Sequence, residues 1–96
     1  PNHARNIEAT ASFRALAAEM GHRTSSLAIA WLLHQGEHIL PIPGTRSIEH
    51  LNELTAGADI ALTESDLAAI EEILPIGWCH GDRYAVGQWV GPEKYC

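Results

Sequence analysis

The run Leu27-Ala28-Ile29-Ala30-Trp31-Leu32-Leu33 is apolar nearly all round. A helix of that kind has to be covered on more than one side, and this requirement constrains the chain more than any other feature. Gly36 stops the helix, and Thr24 or Ser25 can cap its start. The next run, His38-Ile39-Leu40-Pro41-Ile42, is short, partly branched and followed by Pro43-Gly44, so it reads as a strand. Pro41 cannot donate a ladder hydrogen bond, which is awkward in a central strand. One strand makes no sheet, and its backbone groups need neighbours. The combination reads as part of a larger α/β unit. The alternative is that 38–42 stays irregular and the chain folds as a small helical bundle.

The remaining pattern is helical. Over residues 3–20, Phe13, Leu16, Ala17 and Met20 form one apolar face, and Gly21 ends the segment. Ser47 is placed to cap a third helix carrying Ile48, Leu51 and Leu54 and ending at Gly57. Thr63-Glu64-Ser65-Asp66 has the form of a capping box. It opens a fourth helix with Leu67, Ile70, Ile73 and Leu74 inward, ended by Pro75. Residues 76–96 read as an irregular tail in which Trp78, Tyr84 and Trp89 need burial.

At 96 residues the chain is far too short for a complete (β/α)8 barrel, which takes roughly 250. Net charge is −6 with one lysine, Lys94, which argues against nucleic acid or an anionic membrane as partner. No apolar run reaches the roughly 18 residues of a membrane span. The opening residues pass directly into a helical pattern, so no signal peptide is expected. Cys79 and Cys96 form neither a disulfide framework nor a metal-type pair, which points to a reducing cytoplasm.

The stretch Leu40-Pro41-Ile42-Pro43-Gly44-Thr45-Arg46-Ser47 runs strand, glycine loop, helix start. The first N–H groups of a helix lack intrahelical partners and lie at its positive end. Gly44 admits a ligand close to the backbone. Thr45 and Ser47 bring hydroxyls, and Arg46 brings a bidentate cation suited to phosphate. The plain alternative is a surface turn with an incidental arginine and a serine cap.

Ser26 to Gly36, followed by Ile39-Leu40-Pro41-Ile42-Pro43-Gly44-Thr45-Arg46, resembles the C-terminal signature of the aldo-keto reductases. In that family an "LALAWLL…G" helix leads to the eighth barrel strand and an "IPGTR" loop. The helix Ser47–Leu54, the start Leu62-Thr63-Glu64-Ser65-Asp66-Leu67 and the tail Gly81-Asp82-Arg83-Tyr84 are similar as well. The resemblance implies a mostly helical C-terminal fragment of a (β/α)8 TIM barrel, with about four helices, one short strand and a tail. Residues 1–75 would hold the last helices, the eighth strand and the cofactor-phosphate loop. Residues 76–96 would lie near the substrate pocket. The implied cofactor is NADP(H), and the implied reaction is reduction of aldehydes or ketones to alcohols.

Carried over on the same resemblance, Gly44, Thr45 and Arg46 would sit at the adenosine phosphate. His50 would stand near that phosphate, and Glu53 would contact adenine. The family's adenine-binding Asn is replaced by Leu54. Trp78 or Trp89 would line the substrate pocket. The catalytic tetrad of Asp, Tyr, Lys and His belongs to the first half of the barrel and is not in this chain. Isolated, the chain is expected to be inactive.

Other groupings have plainer readings. His34 and His38 are four apart, but Gly36 breaks the helix between them, so no metal set is expected. His34 suits the negative end of a helix. Cys79-His80 lies in an irregular tail, where adjacent residues rarely reach nucleophile–base geometry. Glu64, Asp66, Glu71 and Glu72 read as a solvated helix face. The competing function is a stand-alone helical interaction or dimerisation module that binds no nucleotide, so a homo-oligomer is possible.

Overall fold

The computed structural model describes residues 2–82 and 84–88. They form five α-helices: α1 (Asn2–Ala9), α2 (Ala11–Glu19), α3 (Thr24–Leu33), α4 (Ile48–Ala56) and α5 (Glu64–Ile73). Single turns of 3-10 helix cover Gly57–Asp59 and Val86–Gln88.

The single helix expected over 3–20 is divided at Thr10. Backbone bonds still cross the break, from Thr10 N–H to Asn6 O at 3.1 Å and from Arg14 N–H to Thr10 O at 3.0 Å. The Thr10 hydroxyl also reaches back to the carbonyls of Asn6 and Ile7 at 3.0 and 3.1 Å. Such back-bonding competes with the helical ladder and bends it. At the far end, Gly21 takes φ +76°. There the His22 N–H reaches Ala17 O at 2.9 Å and the Gly21 N–H reaches Ala18 O at 3.0 Å. This is the paired closure that a left-handed residue past a helix provides.

The buried apolar core is Phe13, Ala17, Leu27, Ala30, Leu62 and Ile70. It lies between α2, α3 and α5, with Leu16, Met20, Trp31, Leu67, Ile73 and Leu74 packed around it. Thr63 and Asp66 make the expected reciprocal capping box on α5, with N–H to oxygen distances of 2.9 and 3.1 Å.

The start of α3 differs from expectation. Arg23 occupies the cap position and makes no side-chain cap bond, while Thr24 is already helical. Ser25 turns its hydroxyl to the Glu53 carboxylate at 3.2 Å instead. Ser26, only 3% exposed, donates to the Glu53 carbonyl at 2.5 Å and fastens α3 to α4. At the other end of α3, His34 uses both ring nitrogens. Nε2 accepts the Leu62 N–H at 3.3 Å and Nδ1 lies 2.9 Å from the Ala30 carbonyl. A carbonyl only accepts, so these partners assign the proton to Nδ1.

The expected strand at 38–42 is not formed, and there is no strand among the described residues. Leu40 is 84% exposed and Ile42 is 89% exposed. The physical reason is pairing: no neighbouring strand offers a ladder, and Pro41 has no N–H to give one. The residues run through the segment without regular structure, between α3 and α4. No helix among the described residues is long and apolar enough to cross a membrane.

Candidate functional site

The stretch read as strand, glycine loop and helix start keeps only the last two: an irregular approach stands in place of the strand, followed by an exposed Gly44-Thr45-Arg46 turn and α4. Ser47 caps α4, its hydroxyl oxygen accepting the His50 N–H at 3.3 Å. Thr45 closes the turn from within. Its Oγ1 accepts the Ser47 N–H at 3.2 Å, and its hydroxyl hydrogen faces the Ser47 carbonyl at 3.4 Å. The Thr45 hydroxyl is therefore occupied locally. The N–H groups of Ile48 and Glu49 precede the first intrahelical donor, Leu51, and lie at the positive end of α4. Ile48 is 80% exposed, so water reaches this entrance. Arg46 is exposed and, among the described residues, is joined to no carboxylate. Around Gly44, a Cβ would meet nothing within 4 Å.

Glu53 lies one turn beyond His50 on α4 and is bound from another element. Arg23 grips its carboxylate through Nε at 2.8 Å and through a terminal guanidinium nitrogen at 2.7 Å. The same arginine stands 3.7 Å from Glu49. The Arg23 hydrogen bond above all holds the Glu53 carboxyl below the ordinary range; burial, the next largest influence, pushes it up, and the Arg23 charge, the Ser25 hydroxyl and nearby His50 add to the lowering. One cation thus pairs with two acids on α4, and the set of three keeps one net negative charge. Nothing in the sequence marked Arg23, which is 30 residues from Glu53.

Leu54 is half-buried. It lines an apolar cleft of about 220 Å³ with Ile29, Leu33, Pro41, Pro43 and Leu51. Trp78 does not join the loop residues. It borders a second groove, against Phe13, Ala28, Trp31 and Leu74. Ala28 and Trp31 lie on a side of α3 turned roughly 150° from Ile29 and Leu33 at 3.6 residues per turn. Trp89 falls outside the described residues. Among the described residues, no three His, Cys, Asp or Glu side chains converge as metal ligands.

The model of the aldo/keto reductase family matches residues 1–75. The chain belongs to the aldo/keto reductase family. Among its curated relatives is "Probable aldo-keto reductase 1" of Glycine max, 44% identical over 63 residues. That alignment covers 66% of this chain and 18% of the soybean protein, so the chain spans about a fifth of its relative's length. No solved structure gives a significant match. The family is built on a (β/α)8 barrel, whereas the described residues of this chain are helices and loops.

Proposed function

We propose that this chain is the C-terminal cofactor-holding part of an NADP(H)-dependent aldo-keto reductase that reduces aldehydes or ketones to alcohols. Gly44, Arg46 and the first amides of α4 receive the 2′-phosphate of the adenosine, with His50 one turn further along. The observation that carries this reading is the exposed Arg46 guanidinium, paired with no carboxylate among the described residues, beside open N–H groups at the positive end of α4. Bound NADPH supplies the hydride. This chain's residues bind and orient the phosphate end, and the groups that hold and deliver the proton lie in the preceding part of the barrel. Residues 1–75 supply the final helices and loop, with 38–42 in the place of the eighth strand.

Two features modify the adenine end. Glu53 is committed to Arg23 and Ser25, so it positions α4 and is not a free acceptor for the adenine amine. Leu54 faces the apolar cleft and offers adenine no hydrogen bond. Phosphate recognition therefore dominates over base recognition in this reading.

Titration with 2′,5′-ADP tests it. Arg46→Ala should weaken binding about tenfold, the loss of one charge-assisted bond, while adenosine without phosphates should bind neither form. Saturable binding that is indifferent to Arg46→Ala would remove the assignment. The isolated chain should reduce no carbonyl compound; NADPH-dependent turnover by these 96 residues would contradict that.

The large exposed side chains Leu40, Ile42 and Ile48 favour a second reading, a helical interaction module. No binding of 2′,5′-ADP at millimolar concentration would leave that reading in its place.

A further inference from the structure

We infer that the groove between α2, α3 and α5 is a binding site for a small amphipathic carboxylate, with an apolar body and one anionic end. It encloses about 430 Å³, within the range of roughly 300–1,000 Å³ that small-molecule sites occupy. Its walls are almost wholly carbon: Phe13, Ala28, Trp31, Ile70, Leu74 and Trp78. It lies across α3 from the cleft that borders the phosphate loop, so the two sites do not share walls.

The polar groups of the groove identify the other end of the ligand. Arg14, Thr10 and Thr24 are the polar members of the lining. Arg14 is held in place by two bonds, to the Thr10 hydroxyl at 2.7 Å and to the Ile7 carbonyl at 3.0 Å. Neither partner is charged, and among the described residues no carboxylate pairs with it. In a chain of net charge −6, an anchored and unneutralised guanidinium beside an apolar cavity is a specific complement to an anion. Thr24 opens α3, whose cap residue supplies no side-chain acceptor. Its first amides add positive polarity on the same side. A neutral hydrocarbon would leave these groups unused. A fully polar anion would leave the aromatic walls wet.

Decanoate, with decan-1-ol as its uncharged counterpart, tests the inference on the whole chain. Trp31 and Trp78 report through their emission. Decanoate should shift the emission saturably and bind about tenfold more weakly to Arg14→Gln, the loss expected for one charge-assisted bond. The same variant should bind decan-1-ol unchanged. Ala28→Phe should fill the groove and abolish both interactions. Should that variant fail to fold, Arg14→Gln, at an exposed side chain, still decides the matter. The inference is overturned by any of three results: no saturable shift, equal weakening of acid and alcohol by Arg14→Gln, or undiminished binding in a folded Ala28→Phe. It is also overturned if emission follows protein concentration and ignores decanoate, the mark of a second copy covering this face.

Discussion

With 3% of its surface exposed, Ser26 gives its hydroxyl hydrogen to the Glu53 carbonyl. Ser26→Ala leaves that α4 carbonyl short of a buried donor. Urea unfolding should show a loss of about 1–3 kcal/mol, the penalty for an unsatisfied buried partner. The sequence shows a serine near a helix start, which ordinarily means a cap, and the neighbour that claims it is on another helix. Arg23 raises the same difficulty with a pH signature. Its bond holds the Glu53 carboxyl below the usual range. A depressed folded-state pKa means that the unfolded chain takes up the proton first as pH falls. The contribution is therefore complete above the ordinary glutamate range and disappears as pH drops through that range to the depressed value. Arg23→Ala should lower the urea midpoint at neutral pH, and the two proteins should converge in acid. Parallel midpoints across that window would show that Glu53 gains nothing from Arg23. The candidate phosphate residues stand differently, because Gly44, Arg46 and His50 fall within seven consecutive positions. Local order alone brings them together, so the sequence could place them.

At the scale of elements, Gly57 joins α4 to α3. Its φ is −60°, so no left-handed conformation requires glycine there. A Cβ would instead lie 2.6 Å from the Ser26 carbonyl and 2.7 Å from the Ile29 Cβ. Gly57→Ala must separate the helices, because the nearest obstacle is backbone. Overpacking of this kind costs about 1–3 kcal/mol, to be read from the thermal or urea midpoint. The chain itself shows why some elements were legible and others were not. The capping box at Thr63–Asp66 and the glycine closure at Gly21 are local chemistry, and both formed as read. The strand at 38–42 needed partners outside its own residues, and none is present. The break at Thr10 depends on a hydroxyl choosing the ladder's own acceptors, which hydrophobic spacing does not record. Least legible is the clasp between α1 and the tail. Asn6 accepts the His80 N–H at 2.8 Å and donates to the His80 carbonyl at 3.1 Å, across 74 residues of sequence. Asn6→Ala should speed amide exchange at His80 and leave α3 protected.

For the molecule as a whole, the apolar all-round helix set a demand that this chain meets only in part. Leu27 and Ala30 of α3 are fully buried, but Ile29 and Leu33 open onto the cleft beside Pro41 and Pro43. Leu40, Ile42, Ile48 and Leu51 extend the exposed apolar surface on the segment and helix that follow. The radius of gyration, 14.6 Å, exceeds the about 12.5 Å of a compact domain of this length. Both facts describe a chain whose apolar side chains outnumber the neighbours it supplies. Large apolar side chains exposed in this number favour association in water. Sedimentation should therefore show association that grows with protein concentration. Replacing both Leu40 and Ile42 by lysine should suppress it. Neither side chain packs against the core, so helical content and the unfolding midpoint should stay near those of the parent chain. A double variant that loses its helices would mean that these residues stabilise the monomer after all. One that stays folded and still associates would move the sticky surface to the groove around Trp31 and Trp78.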